Sequence, residues 1–168
     1  LMESSMVALG TPAPHFNLMG VDDLMHDIKD FDDKKVLVII FMCNHCPYVQ
    51  KVWPDLTELV SRSANEVQFI GINANSNPNY PEDSFEKMKE YVVKMKHNFP
   101  YLYDETQSVA REYGAVCTPD FFVYDENRKL AYRGNYLGLE EATKALLKGN
   151  KPDADQKNSM GCSIKWID

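Results

Sequence analysis

The chain has 168 residues, of which 44% are hydrophobic and 26% charged, and its net charge at pH 7 is −7. This length and balance fit one compact domain spanning residues 1–168 rather than two domains. A chain of this size buries about 70% of its unfolded surface, so its four cysteines are not needed as structural disulfides. The acidic charge and the absence of a basic cluster argue against nucleic acid binding. The longest apolar run, Val36 to Met42, is too short to span a membrane.

The beginning of the chain carries no basic segment followed by an apolar stretch. This predicts a cytoplasmic protein, with a leader that has already been removed as the alternative. A reducing cytosol also suits catalytic cysteines better than structural ones.

The first half of the chain alternates strand and helix patterns. The apolar, β-branched run from Val36 to Met42 predicts a strand that is buried on both faces. Apolar residues recur at helical spacing after Pro47, and the same order repeats with a strand at 67–73 and a helix from Phe85 to Met95. This order predicts a mainly parallel sheet with helices on both faces and ligands at the carboxyl ends of its strands.

The second half predicts smaller elements. Thr106 is expected to cap a short helix that Gly114 ends, and strands at 121–124 and 129–133 are expected to form an antiparallel hairpin. A last helix runs from Leu139 to about Gly149. The remaining residues form a polar tail without periodicity, which we expect to be flexible.

The motif Cys43-Asn44-His45-Cys46 follows the first buried strand and precedes a helix. A helix N-terminus stabilises a thiolate, the form of cysteine that attacks disulfides. We therefore expect Cys43 to attack and Cys46 to resolve the mixed disulfide, through a reversible Cys43–Cys46 bond. Half of a zinc site is the alternative, but no second ligand pair of similar spacing exists, so no metal is predicted.

Together with these cysteines, Trp53-Pro54 and a Thr118-Pro119 pair before a strand resemble the thioredoxin superfamily. Segments 10–16, 99–104 and 113–119 are similar to its alkyl hydroperoxide reductase and thiol-specific antioxidant branch, which includes membrane-tethered thiol-disulfide reductases. The resemblance implies an α/β, thioredoxin-like fold with a mixed central sheet, helices on both faces and an N-terminal extension. It covers a core at 10–149, leaving 150–168 as a C-terminal tail whose end is similar to that of a little-characterised subgroup.

The resemblance also implies supporting roles around the cysteines. His45 resembles the histidine of strongly oxidising Cys-x-His-Cys proteins and is expected to favour the thiolate, with an exposed loop histidine as the alternative. Asn44 fills the other spacer position. Pro119 matches the family's cis-proline, and Thr118 before it would offer its backbone to an extended peptide, with an ordinary trans turn as the alternative.

Two positions depart from the thioredoxin pattern. Leu37 stands where thioredoxins keep a buried carboxylate, and Met42 replaces the usual tryptophan. The sequence therefore assigns no group to proton transfer.

The other two cysteines are judged separately. Cys117 is expected to be a small buried hydrophobic residue. Cys162 lies in the tail, where it is either a packing residue or a resolving cysteine.

These features predict a thiol-disulfide oxidoreductase with an antioxidant role. Its partners would be a protein or small-molecule disulfide and an unidentified thiol electron donor, with no cofactor. One alternative is a thiol peroxidase that uses Cys46 or Cys43 with a resolving cysteine. Another is a non-enzymatic module that binds a metal or a partner protein.

Overall fold

The computed structural model describes the whole chain, from Leu1 to Asp168. It contains ten strands and four α-helices. The strands are β1 (Met2–Glu3), β2 (Asn17–Gly20), β3 (Met25–Asp27), β4 (Val36–Phe41), β5 (Val67–Asn73), β6 (Tyr101–Tyr103), β7 (Cys117–Thr118), β8 (Asp120–Tyr124), β9 (Leu130–Gly134) and β10 (Met160–Ser163). The helices are α1 (Pro47–Ser63), α2 (Phe85–Lys94), α3 (Ser108–Tyr113) and α4 (Leu139–Leu147). No helix combines the length and apolar character needed to cross a membrane.

Seven strands form the central sheet, in the order β3-β2-β6-β5-β4-β8-β9. Strand β4 runs parallel to β5 and antiparallel to β8, while β5 and β6 are parallel. This mixed sheet confirms the thioredoxin-like α/β fold. The prediction of a mainly parallel sheet is wrong, because only the β4-β5 and β5-β6 pairs are parallel and the hairpins at both edges are antiparallel. The β4 and β5 strands end at one edge, where their parallel register pairs Phe41 with Ile72.

All six residues of β4 are buried because the sheet is covered on both sides. Alternate side chains point to opposite faces of a strand. Val36, Val38 and Ile40 pack in a cluster with the buried residues of α1, α2 and α4. The intervening residues of β4 pack in a second cluster with α3. The predicted helices on both faces are therefore confirmed.

Helix α3 begins differently from the sequence prediction. Its first residue is Ser108, and the carboxylate of Asp104 accepts hydrogen bonds from the backbone N–H groups of Val109 at 3.3 Å and Ala110 at 2.8 Å. Thr106 instead lies before the helix, with its hydroxyl 2.9 Å from the Ser108 hydroxyl. The N-cap residue is Gln107 rather than the predicted Thr106, but the Thr106 hydroxyl accepts the first helical N–H, that of Ser108, at 3.4 Å, while Asp104 accepts the next two.

The N-terminal extension supplies one edge of the sheet. Strands β2 and β3 form an antiparallel hairpin, and β2 pairs with β6. Their short length and mixed polarity leave little alternation to detect, and the sequence does not predict them. The opposite edge is the predicted hairpin of β8 and β9.

The C-terminal tail is ordered against the rest of the chain. Strand β10 lies between β1 and β7 in a three-stranded antiparallel sheet. Ile164, just beyond β10, is 2% exposed and belongs to the cluster around α3. The prediction of a flexible tail is wrong, because low periodicity in sequence does not prevent pairing with strands that are distant along the chain.

Candidate active site

The motif 43–46 connects the end of β4 to the start of α1. Cys46 is the N-cap residue of the helix, with an extended backbone, and Pro47 occupies its first turn. Cys43 and Cys46 are each only 1% exposed. Both cysteines are free thiols.

A buried carboxylate holds this loop. One oxygen of Asp83 accepts hydrogen bonds from the backbone N–H groups of Asn44 at 2.9 Å and His45 at 2.8 Å. Its other oxygen accepts from the side-chain amide of Asn75 at 3.0 Å. Asp83 comes from the segment after β5, which reaches the motif because β4 and β5 end at the same edge of the sheet.

The two spacer residues have different environments. The Asn44 side chain is buried, donates to the carbonyl oxygen of Glu82 at 3.0 Å and accepts from the hydroxyl of Tyr101 at 2.9 Å. His45 is exposed, and the hydrogen bond that fixes it comes from its backbone N–H. Asn44 is therefore a structural anchor of the loop, whereas the imidazole of His45 faces the solvent.

Thr118, which precedes Pro119, lies directly against both cysteines. The Thr118–Pro119 peptide bond is cis, as the resemblance implies. The Thr118 hydroxyl lies 3.6 Å from the sulfur of Cys43, and its carbonyl oxygen lies 3.6 Å from the sulfur of Cys46.

The pKa values of the two thiols of the motif are shifted in opposite directions. Its hydrogen bond with Cys43 lowers the pKa of Cys46 to about 4, and its hydrogen bonds with Cys162 and with the Val49 N–H act in the same direction. Donation to Cys46, burial and the negative charge of Asp83 raise the pKa of Cys43. These directions favour Cys46, the N-cap residue of the helix, over the predicted Cys43 as the thiolate, and the choice of attacking cysteine stays a prediction.

The remaining two cysteines differ in position. The sulfur of Cys162 lies 3.0 Å from that of Cys46, and Cys162 is partly exposed. Burial raises the pKa of Cys162 to about 11. Cys117 is fully buried, and burial raises its pKa as well. Three of the four thiols thus meet at the motif, while Cys117 is the expected buried residue.

A cavity of about 300 Å³ opens beside these thiols. It is lined by Cys43, Cys46, Cys162, His45, Asn75, Asn79, Tyr80, Pro81, Glu82, Asp83 and Lys165. Its lining includes no arginine. No group of three or more His, Cys, Asp or Glu side chains is arranged to hold a metal ion.

Sequence reasoning missed the groups that come from other segments, namely Asp83, Asn75, Tyr101 and Lys165. The signal that could have found Asp83 was the polar stretch after the 67–73 strand, since neighbouring parallel strands end at the same edge. Asp83 supplies a buried carboxylate near the thiols even though Leu37 replaces the one that thioredoxins keep.

A thioredoxin-like fold with two cysteines at a strand-to-helix junction beside a cis-proline defines a thiol-disulfide oxidoreductase. The Redoxin family model matches residues 8–146, so the chain belongs to the Redoxin family.

Known relatives agree with this placement. The thiol-disulfide oxidoreductase ResA of Geobacillus thermodenitrificans (strain NG80-2) is 26% identical over 151 residues, which cover 89% of this chain and 82% of ResA. A hypothetical protein from Sinorhizobium meliloti 1021 is 34% identical over 99% of both chains, with a TM-score of 0.97. An uncharacterized conserved protein from Geobacillus kaustophilus is 41% identical over 99% of this chain and 96% of its own, with a TM-score of 0.96.

Proposed function

We propose that this protein exchanges electrons with protein disulfides and thiols through Cys43 and Cys46. The observation that carries the proposal is the placement of two free thiols at the start of α1, with Thr118 of the cis-proline turn against both sulfurs. The lowered pKa of Cys46 and the raised pKa of Cys43 support Cys46 as the attacking thiolate. A thiolate and a thiol in contact are the reactants that close an intramolecular disulfide.

The reaction follows from these roles. The Cys46 thiolate attacks one sulfur of a disulfide, a Cys46–substrate bond forms, and the other substrate sulfur leaves as a thiolate. Cys43 then loses its proton and attacks the sulfur of Cys46, which releases the second substrate thiolate and forms the Cys43–Cys46 disulfide. An external thiol donor reverses these steps. In the reduced protein the Thr118 hydroxyl contacts the sulfur of Cys43, and the Thr118 carbonyl oxygen contacts the sulfur of Cys46.

Reduction of the disulfides of insulin with dithiothreitol as electron donor tests this proposal. We expect Cys46→Ser to abolish the catalysed rate, because it removes the thiolate. The matched control is Cys117→Ala, which removes a buried thiol outside the motif and should keep the wild-type rate. Wild-type activity in Cys46→Ser would contradict the proposal.

Peroxide reduction is the second candidate, favoured by the position of Cys162 beside the Cys46 thiolate. Cys46 would be oxidised to a sulfenic acid, which Cys162 would convert to a disulfide with release of water. The cavity offers no arginine to stabilise the departing oxygen, which favours disulfide exchange. Three results together would assign the protein as a peroxidase instead. The wild-type protein would consume hydrogen peroxide, give a dimedone adduct at Cys46 and fail to reduce insulin.

The cytoplasmic location and the antioxidant role stay predictions. Localisation of the tagged full-length protein in its own host, with sequencing of its mature N-terminus, tests the first. Sensitivity of a deletion strain to hydroperoxides, reversed by the wild-type protein but not by Cys46→Ser, tests the second.

A further inference from the structure

Strand β10 occupies the backbone edge next to the cis-proline. It pairs antiparallel with β7, and Cys162 lies opposite Thr118. An extended substrate peptide that binds by strand addition would use this same edge of Thr118. The C-terminal segment of the chain therefore stands where a substrate strand would stand, with a cysteine facing the site.

The placement of Cys162 is fixed from both sides. Before it, Gly161 approaches Thr118 so closely that an added Cβ atom would overlap the Thr118 carbonyl oxygen. After it, the backbone N–H of Ile164 donates to Val116 at 3.0 Å and that of Lys165 donates to the Asn75 side chain at 3.0 Å. Cys162 is thus held at the site by the fold rather than brought there by a mobile arm.

The geometry between the two sulfurs suits bond formation. The sulfur atoms of Cys46 and Cys162 are 3.0 Å apart, whereas a disulfide bond is about 2.05 Å long. A shift of about 1 Å would therefore join them. Cys162 is also the most accessible of the three thiols, since Cys43 and Cys46 are each 1% exposed.

We propose that Cys162 is a third redox cysteine, through which external disulfides and thiols exchange with the buried Cys46. This inference rests on the proposed thiol-disulfide exchange function and adds the route by which partners reach it. All three thiols line the same cavity, but Cys162 is the most exposed of them, so it is the thiol that an external partner reaches first.

The exchange balances in three steps. Cys162 passes its proton to the neighbouring Cys46 thiolate and attacks an external disulfide, which forms a Cys162–substrate bond and releases one substrate thiolate that takes the proton from Cys46. The Cys46 thiolate then attacks the sulfur of Cys162, which forms the Cys46–Cys162 disulfide and releases the second substrate thiolate. Cys43 gives up its proton and attacks Cys46, which leaves the Cys43–Cys46 disulfide and returns Cys162 as a thiolate that takes a proton from solvent. In the reverse of the second step, a substrate thiolate attacks the sulfur of Cys162 and Cys46 leaves as a thiolate. A thiol of low pKa is a good leaving group.

Peptide mapping distinguishes the possible disulfides. Trypsin places Cys43 and Cys46 together in peptide 36–51, Cys162 in peptide 158–165 and Cys117 in peptide 112–128. We expect Cys43→Ser, oxidised with one equivalent of oxidised glutathione, to accumulate the link between peptides 36–51 and 158–165. Cys43→Ser/Cys46→Ser should lose that link. Glutathione found on Cys46 in Cys43→Ser, without the link, would overturn the proposal.

Exchange kinetics supply a second readout. We expect Cys162→Ser to lower the rate of exchange with oxidised glutathione at least tenfold, while Cys117→Ala keeps the wild-type rate. An unchanged rate in Cys162→Ser would overturn this inference and leave the proposed function standing. Wild-type protein that forms the link but does not reduce insulin would overturn the proposed function instead.

A variant that shifts strand β10 but keeps every thiol tests whether the position of Cys162 matters. Gly161→Ala keeps all four thiols but cannot pair closely with Thr118, so we expect the cross-peptide link to fall at least several-fold. Ser163→Ala, in the same strand, is the control and should retain it. Far-ultraviolet circular dichroism verifies that both variants are folded. A full yield of the link in folded Gly161→Ala would contradict the role of the strand.

Discussion

Hydrogen bonds favour Cys46 as the thiolate of the reduced site. Those with Cys43 and Cys162 and the one from the Val49 backbone N–H, in the first helical turn, lower its pKa. Cys43 has the opposite environment, since it is buried near the carboxylate of Asp83.

This placement predicts the titration of the thiolate absorbance in reduced protein. We expect the wild-type signal to persist down to a pH near 4 and to vanish in Cys46→Ser. In Cys43→Ala the signal should remain but titrate at higher pH, because the side-chain hydrogen bond that contributes most to lowering the pKa of Cys46 is removed. A signal that survives in Cys46→Ser and disappears in Cys43→Ala would restore Cys43 as the thiolate.

Asp83→Asn tests the carboxylate that holds the loop. The variant's amide oxygen can still accept the two backbone N–H groups, but its NH2 group would face the donor amide of Asn75. We expect the free energy of unfolding to fall by about 1–3 kcal/mol and the pKa of Cys43 to decrease, since a nearby negative charge is lost. Chemical denaturation and thiol titration measure both. Glu82→Gln, the neighbouring carboxylate, is the control and should leave the Cys43 titration almost unchanged.

His45→Ala tests whether the spacer histidine sets the redox potential. The resemblance implies a decrease of about 30 mV or more in the midpoint, which corresponds to about 1.4 kcal/mol. The exposed imidazole favours a smaller shift, because water screens a charge at the surface and alanine keeps the backbone N–H bond to Asp83. A glutathione redox titration of both proteins measures the difference. A decrease above about 30 mV would support the implied role of His45.

At the scale of elements, helix α3 depends on a cap that comes from outside its own turn. We expect Asp104→Ala to lower the free energy of unfolding by about 1–2 kcal/mol, because the buried N–H groups of Val109 and Ala110 lose their acceptor. Thr106→Ala is the matched comparison and should cost less. Urea denaturation decides between them, and equal losses would contradict the assignment of Asp104 as the cap.

At the scale of the whole molecule, we propose that residues 1–168 form one domain, with the core at 10–149 and the tail at 150–168. The support is that the tail completes a sheet with the N-terminal strand β1 and with β7. Gln107 also donates to the carbonyl of Lys165 and accepts from the N–H of Ile167. The two ends of the chain are thereby tied to its middle.

Asp120 joins the sheet to the tail and makes stability depend on pH. The Ser159 hydroxyl contacts both the Asp120 carboxyl at 2.9 Å and the carbonyl oxygen of Gly134, and its single hydrogen cannot serve both. A protonated Asp120 supplies the missing donor. Burial raises the pKa of Asp120 to about 7 from an ordinary value of 3.8.

The folded protein therefore keeps a proton on Asp120 that the unfolded chain releases between about pH 4 and pH 7. The free energy of unfolding should fall as pH rises through this window and level off above it. We expect Asp120→Asn to remove this fall, with a gain at about pH 8 of up to about 4 kcal/mol over wild type. Urea denaturation at about pH 5 and about pH 8 measures it. An equal fall in both proteins would show that other groups cause the pH dependence.

The sequence alone determined the parts that depend on neighbours along the chain. The β4 and β5 strands, helix α1 and the position of the Cys43–Cys46 pair between them follow from local hydrophobic periodicity and residue spacing. Gly114 ends α3 with a positive φ of 72°, as a glycine after a short helix predicts. The cis bond before Pro119 came from the family resemblance, since local pattern does not distinguish it from a trans bond.

Only the tertiary structure decided which thiol carries the charge and which residues surround it. The partners of Cys46 and Asn44 lie far away in sequence: Cys162 is separated from Cys46 by 116 positions, and Asp83 from Asn44 by 39. Periodicity describes which face of an element is buried, but not which distant segment covers it. A pKa depends on burial and on the donors within a few ångströms, so the opposite pKa shifts of Cys43 and Cys46 became visible only when β10, the loop after β5 and the start of α1 were placed together.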